Sequence, residues 1–184
     1  MEYVTELLTA TGMDDTIRKM TEAIVALVDS PESLVLIGIR THGVTLAQRV
    51  RALLESQHGW QVPLGILDIT LYRDDLAQLA AQPIVRSTHL DFDMEDRVVV
   101  LVDDVLYTGR TVRCALDEIM DYGRPRSVRL AVLVDRGLRE LPICPDITGL
   151  AVQTARGERI DVRFGPEGES IGVWVLKPGS GLPQ

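Results

Sequence analysis

From Asp14 onward, Ile17, Met20, Ile24, Leu27 and Val28 recur every three or four residues, the spacing of an amphipathic helix, and Ser30-Pro31 stops it. Leu34 to Ile39 has no polar interruption and is too short for a helix, so it predicts a strand covered on both faces. A second helical stripe, Val44, Ala47, Val50, Leu53 and Leu54, predicts a helix from Val44 to about Gln57, ended by His58-Gly59. A strand is expected from about Val62 to Leu71. The period then fails from Arg73 to Asp96, where Pro83 interrupts an alanine-rich patch; a gap of this length suggests an active-site lid or a disordered excursion. The β-branched run Val98 to Val102 resumes the strand pattern, and a polar turn leads into a helix from Thr111 to about Tyr122, stopped by Gly123 and Pro125. Val128 to Val134 is the next strand. Beyond Asp135, Ile160 to Phe164 and Gly172 to Leu176 read as short strands of a hairpin-like appendage.

Strands alternating with helices of this length predict an α/β fold, a doubly wound parallel sheet with helices on both faces. The expected organisation is one domain over residues 1–176 and a flexible tail over 177–184.

Composition narrows the class. The chain has 184 residues, and no uninterrupted apolar run approaches the roughly 18 residues of a membrane span. Met1 to Thr5 lacks the basic and apolar segments of a secretory signal, so the cytoplasm is the expected location and no membrane partner is expected. Cys114 and Cys144 stand far apart and outside any C-x-x-C spacing, which argues against a zinc knuckle or a disulfide scaffold. With 19 basic against 27 acidic side chains the net charge is −8, so any affinity for a polyphosphate must come from local clustering.

Ligands of open α/β sheets bind beyond the carboxyl ends of the strands. There the sequence Val102-Asp103-Asp104-Val105-Leu106-Tyr107-Thr108-Gly109-Arg110-Thr111 stands out. Two adjacent carboxylates leave a buried strand, and a Thr-Gly-x-Thr turn opens a helix. Glycine admits close backbone approach, and the amides of residues 107–111 with two hydroxyls make an anion cradle. Carboxylates repel phosphate but accept hydrogen bonds from vicinal hydroxyls, so cradle and acid pair together describe a ribose 5-phosphate. The competing reading is that the acids merely cap the helix. Gly38 to Thr45 has P-loop spacing, yet Val44 stands where the phosphate-binding lysine belongs, and G-x-S-x-G, H-E-x-x-H and G-x-G-x-x-G are missing.

The segment Val99 to Thr111 resembles the phosphoribosyl diphosphate (PRPP) motif of the type I phosphoribosyltransferases. Leu67 to Leu76, Val102 to Arg113, Leu130 to Gly137 and Arg139-Glu140-Leu141-Pro142 resemble the PyrR family, pyrimidine-operon attenuation proteins with uracil phosphoribosyltransferase activity. The likeness spans roughly residues 14–165. It implies the type I phosphoribosyltransferase sheet with a flexible lid and a short C-terminal β appendage, and formation of UMP and diphosphate from PRPP and uracil with Mg²⁺.

Residue by residue, it implies that Asp103 and Asp104 hold the ribose and stabilise a developing cation. Tyr107, Thr108, Gly109, Arg110 and Thr111 would take the 5-phosphate. Arg40, Thr41, His42 and Gly43 would form the diphosphate loop, with Thr41 as a helix cap the simpler alternative. The family usually has a second basic residue where His42 stands, which makes diphosphate affinity lower or pH dependent. Arg73 and Asp74 would sit near the base of a lid from Tyr72 to His89. Val134, Asp135 and Arg136 would line the base through backbone groups. No direct protein ligand is expected for Mg²⁺, which the diphosphate itself holds, although Asp135 can approach through water; its alternative is a salt bridge with Arg136 or Arg139. A homodimer or homotetramer is expected, with Leu138 or Trp174 in an interface.

The resemblance also implies a uridine-nucleotide sensor that binds pyrimidine-leader RNA. Arg124, Arg126, Arg129, Arg136 and Arg139 cluster against the single acid Asp135, but a strand cannot aim all five one way. Leu138, Cys144, Glu22 and Leu150 depart from the residues of RNA-binding relatives. The expectation is therefore an intact catalytic site and impaired or lost RNA binding.

Overall fold

A computed structural model describes residues 2–69 and 88–177. Among them the order is β1 (Glu2–Thr9), α1 (Ala10–Val25), β2 (Leu34–Ile39), α2 (His42–His58), β3 (Leu64–Leu67), β4 (Val98–Leu106), α3 (Arg110–Tyr122), β5 (Ser127–Asp135), β6 (Ile147–Ala151), β7 (Arg159–Phe164) and β8 (Ser170–Lys177). The main sheet runs β3-β2-β4-β5-β6 with every pair parallel, and β1-β8-β7 form a second, antiparallel sheet.

The two faces of the main sheet explain why its strands read as continuous apolar runs. Leu34, Leu36, Val98, Val100 and Val102 pack with Met13, Ile17, Met20 and Ile24 of α1, with Leu46, Ala47, Val50 and Leu54 of α2, and with Val162 and Val173 of the small sheet. Their neighbours Val35, Ile37, Ile39, Val99 and Leu101 point the other way, onto Val112, Ala115 and Ile119 of α3. Each fully buried side chain contributes on the order of 1.5–3 kcal/mol, so sheet and helices form one cooperative packing problem.

Several expectations are corrected. Helix α1 begins at Ala10, four residues before Asp14, because the Thr9 hydroxyl accepts the Gly12 amide at 3.2 Å and caps it. The third strand is only Leu64–Leu67. β4 does not stop at Val102 but continues through Asp103 and Asp104 to Leu106, since β5 pairs with it as far as Asp135. β1 and β6 were not anticipated: β1 precedes the first helical stripe, and β6 is a half-exposed edge strand without a clean period. The appendage is therefore a three-stranded sheet that recruits the N-terminus. Arg73, Asp74 and the expected lid lie outside the described residues apart from Thr88 and His89, as does the tail after Lys177. Among the described residues no helix is long and apolar enough to cross a membrane.

Candidate active site

The carboxyl ends of β3, β2, β4 and β5 stand side by side, and they bring Asp68, the loop 40–43, the acid pair and Asp135 to one edge. At the end of β2 the Arg40–Thr41 peptide is cis. The Arg40 amide donates to the Leu67 carbonyl (2.9 Å), and its Nε lies 3.7 Å from Oδ2 of Asp68. That nitrogen is buried with no hydrogen-bond acceptor among the described residues, and the Asp68 side chain is only 2% exposed. A carboxylate so buried needs a cation beside it, and Asp68 orients Arg40 in return. Reading the sequence missed Asp68; its place one residue beyond a strand's carboxyl end is the signal that marks it. Thr88 Oγ1 accepts the Asp68 amide at 3.2 Å, so the chain returns from the undescribed segment beside this pair.

Thr41 precedes α2 but makes no side-chain cap bond, which leaves the first amides of α2 open at the loop. Gly43 is required by space: a Cβ there would meet the Val102 carbonyl oxygen at 2.5 Å and the Asp103 Cα at 3.1 Å. Loop 40–43 therefore lies directly against the end of β4.

His42 bridges these two elements. Its Nδ1 lies 3.3 Å from Oδ2 of Asp104, and its ring meets Phe164 of β7 edge-on with centroids 6.0 Å apart. The hydrogen bond to Asp104 raises the His42 pKa; burial opposes this, while the charges of Asp104 and Asp161 add to it. Burial pushes the Asp104 carboxyl up, but the hydrogen bonds from His42 and with Asp103 outweigh it, so the net shift is downward and the group stays ionised.

Because both acids are still in β4, they are not equivalent. Asp103 is 6% exposed and its Oδ1 accepts the Asp104 amide at 3.0 Å; Asp104, the more accessible, faces His42. Neither caps α3, whose N-cap is Gly109 in the left-handed region (φ 92°) with no side-chain cap bond.

The turn from Tyr107 to Gly109 is held from behind. The Thr108 carbonyl accepts the amides of Glu140 and Leu141 (3.0 and 3.1 Å), and Leu106 accepts the amide of Arg136 (3.1 Å). Thr108 Oγ1 accepts the Arg110 amide at 3.3 Å, and the exposed Arg110 pairs through Nε with Glu140 at 2.8 Å. Thr111 lies in the first turn of α3, where amides have no intrahelical partner. Uncommitted amides at a helix start beside a glycine turn suit a phosphate.

At the end of β5, Val134 is fully buried in the core. Asp135 pairs with Arg139 (2.6 Å), and its Oδ1 accepts the Gly137 amide (2.9 Å). Arg136 is 5% exposed; its Nε donates to Thr154 Oγ1 (2.9 Å), its Nη2 to the carbonyls of Ala155 (3.1 Å) and Glu158 (2.8 Å), and its guanidinium stacks 4.1 Å over the Tyr107 ring. The Arg136 side chain thus ties loop 154–158 to the end of β5 and is fully committed there. Arg129 pairs with Asp146. Of the five clustered arginines, Arg136 and Arg139 are engaged inside the fold, so the cluster is not a single phosphate-tracking face.

No group of three potential metal-ligating side chains occurs among the described residues. A hard cation takes oxygen ligands and needs no histidine or thiolate, so an ion that arrived bound to a diphosphate would be compatible with these side chains. Each Asp135 oxygen already has a partner, Arg139 or the Gly137 amide, so the side chain is held in place at this edge.

A family model, the phosphoribosyl transferase domain, matches residues 4–158. The chain is 51% identical to the "Bifunctional protein PyrR" of Pelotomaculum thermopropionicum over 86% of this chain and 88% of that protein. It is 47% identical to its namesake from Deinococcus deserti, over 93% and 94% of the two chains. Among solved structures it resembles a Staphylococcus aureus hypoxanthine phosphoribosyltransferase, with TM-score 0.69 and 16% identity over 96% of this chain and 94% of that one. A Trypanosoma cruzi hypoxanthine phosphoribosyltransferase gives 0.70 and 19%, covering 96% of both. At such identity these two likenesses speak to the fold.

Proposed function

The chain belongs to the phosphoribosyl transferase domain family and, within it, to the PyrR proteins, and from that membership we propose that it transfers the phosphoribosyl group of PRPP to uracil, forming UMP and diphosphate. The observation that carries this reading is the His42–Asp104 contact. It joins the loop suited to diphosphate to the strand end suited to ribose, a few residues ahead of the amide turn suited to the 5-phosphate.

In this reading the Thr108–Thr111 amides and hydroxyls hold the 5-phosphate, Asp104 accepts a ribose hydroxyl with Asp103 bracing it, and Arg40 and His42 face the departing diphosphate. As the bond to diphosphate lengthens, positive charge builds on the sugar ring. The fixed negative charge of Asp103 and Asp104 then interacts more strongly with the transition state than with the ground state. Arg73, at the base of the expected lid, would help exclude water, the competing nucleophile. Main-chain groups at Asp135 and Arg136 would meet the pyrimidine edge. A Mg²⁺ ion accompanying the diphosphate would supply neutralisation of the leaving group's charge.

The decisive assay measures UMP formation from uracil and PRPP with Mg²⁺. Asp104→Asn keeps the shape and removes the charge, so kcat/KM should fall by about 10²-fold or more with little change in Tm. An unchanged rate would refute the role of that carboxylate, and failure to form UMP in the parent would refute the function.

The name of the relatives, "Bifunctional protein PyrR", favours a second activity. We take it to be leader-RNA binding governed by uridine nucleotide, weakened here because Arg136 and Arg139 are engaged internally. Titrating a pyrimidine-leader RNA at two salt concentrations tests it: tight, salt-sensitive binding would refute the weakening.

A further inference from the structure

Arg139 follows β5 on the loop 136–143 and turns back beneath the phosphate turn. Its Nη1 donates to the Tyr107 carbonyl (2.8 Å), to the Gly137 carbonyl (3.1 Å) and, at 3.5 Å, to that of Leu106. Its Nε donates to the Ile143 carbonyl (3.0 Å), and its Nη2 pairs with Asp135 (2.6 Å). One guanidinium therefore joins the phosphate turn, the end of β5 and the far limb of its own loop.

A trans peptide unit is planar, with its C=O and N–H pointing in opposite directions. When the Tyr107 carbonyl is drawn to Arg139, the Thr108 amide points away from the loop. When the Thr108 carbonyl is drawn to the amides of Glu140 and Leu141, the Gly109 amide does the same. The loop also closes the back of the turn, since a Cβ on Gly109 would meet the side chains of Ile143 and Leu141 at 3.3 and 3.4 Å.

The geometry points to Arg139 as a positioning residue: it directly holds the Thr108 amide toward the 5-phosphate, it steadies the loop whose Glu140 and Leu141 amides orient that of Gly109, and through Asp135 it couples that turn to the base end of the site. This rests on the phosphoribosyl transfer reading. Arg139 touches no substrate. It acts through the orientation of two peptide planes, a task for a planar fork that spans several acceptors and one that a lysine ammonium cannot reproduce.

The test compares two ligands on the full chain by calorimetry. UMP requires the phosphate turn, whereas inorganic diphosphate with Mg²⁺ requires loop 40–43 on the neighbouring strand. Arg139→Lys should weaken UMP by about tenfold, in keeping with the loss of charge-assisted hydrogen bonds, and leave diphosphate within about twofold. Arg139→Met should weaken UMP further with the same selectivity; if it does not fold, the lysine variant carries the comparison. Equal weakening of both ligands would mean general loosening and would overturn the inference, as would UMP affinity unchanged from the parent. A parent that binds no UMP would overturn the functional reading and this inference with it.

Discussion

Replacing Gly43 by alanine adds one carbon to the loop, and its consequence can be worked from the packing. The new Cβ would sit 2.5 Å from the Val102 carbonyl oxygen and 3.3 Å from Oδ1 of Asp103. A carbon normally keeps about 3.3 Å from a carbonyl oxygen, so the first contact is short by roughly 0.8 Å. The obstructing atom is backbone in the central strand of the main sheet, paired on both sides by β2 and β5, and cannot yield as a side chain tip would. The loop must move instead, taking His42 and Arg40 with it. Overpacking of this kind costs about 1–3 kcal/mol of stability, and a displacement near 1 Å at a reacting centre costs about 10²-fold in rate. Gly43→Ala should therefore lower kcat/KM for PRPP by about 10²-fold in the UMP-forming assay, while the melting curve stays cooperative and shifts down by several degrees. A variant with kcat/KM within threefold of the parent would refute the claim that loop 40–43 is positioned by contact with β4.

Other outcomes follow from the same geometry. The His42 pKa is raised chiefly by its hydrogen bond to Asp104, so the favourable contribution of the charged ring is complete below the unfolded-state pKa and is lost as pH rises through the folded-state value. Affinity for the polyanionic PRPP should fall on that alkaline limb, and His42→Arg should flatten it; a KM profile indifferent to both would contradict the assignment. Arg136→Met strips partners from Thr154, Ala155 and Glu158 and the stack from Tyr107, and should lower unfolding stability in urea by about 2–3 kcal/mol. A loss under 0.5 kcal/mol would mean that this buried tie carries little weight.

Much of the architecture is legible along the chain. The apolar run gives the bounds of β2 to the residue because both its faces are covered, and the Thr-Gly-x-Thr turn gives the start of α3 within one residue. β1 and β6 escape because their own residues, Glu-Tyr-Val-Thr-Glu-Leu-Leu-Thr and Ile-Thr-Gly-Leu-Ala, mix polar and apolar positions with no sustained two-residue period. The acid pair was recognised, but its place inside β4 was not, because how far a strand runs depends on its pairing partner.

By itself, the order of apolar runs, acids and glycines determined a doubly wound parallel sheet and pointed to the strand end proposed as the site, since local periodicity and turn stereochemistry act over a few residues. Tertiary structure alone decided that Asp68 backs Arg40, that His42 reaches Asp104 across 62 positions, and that Asp135 pairs with Arg139 rather than with its neighbour Arg136. Those outcomes depend on which strands lie side by side and on which buried charges must find partners, and both are set by the packed fold rather than by any window of sequence.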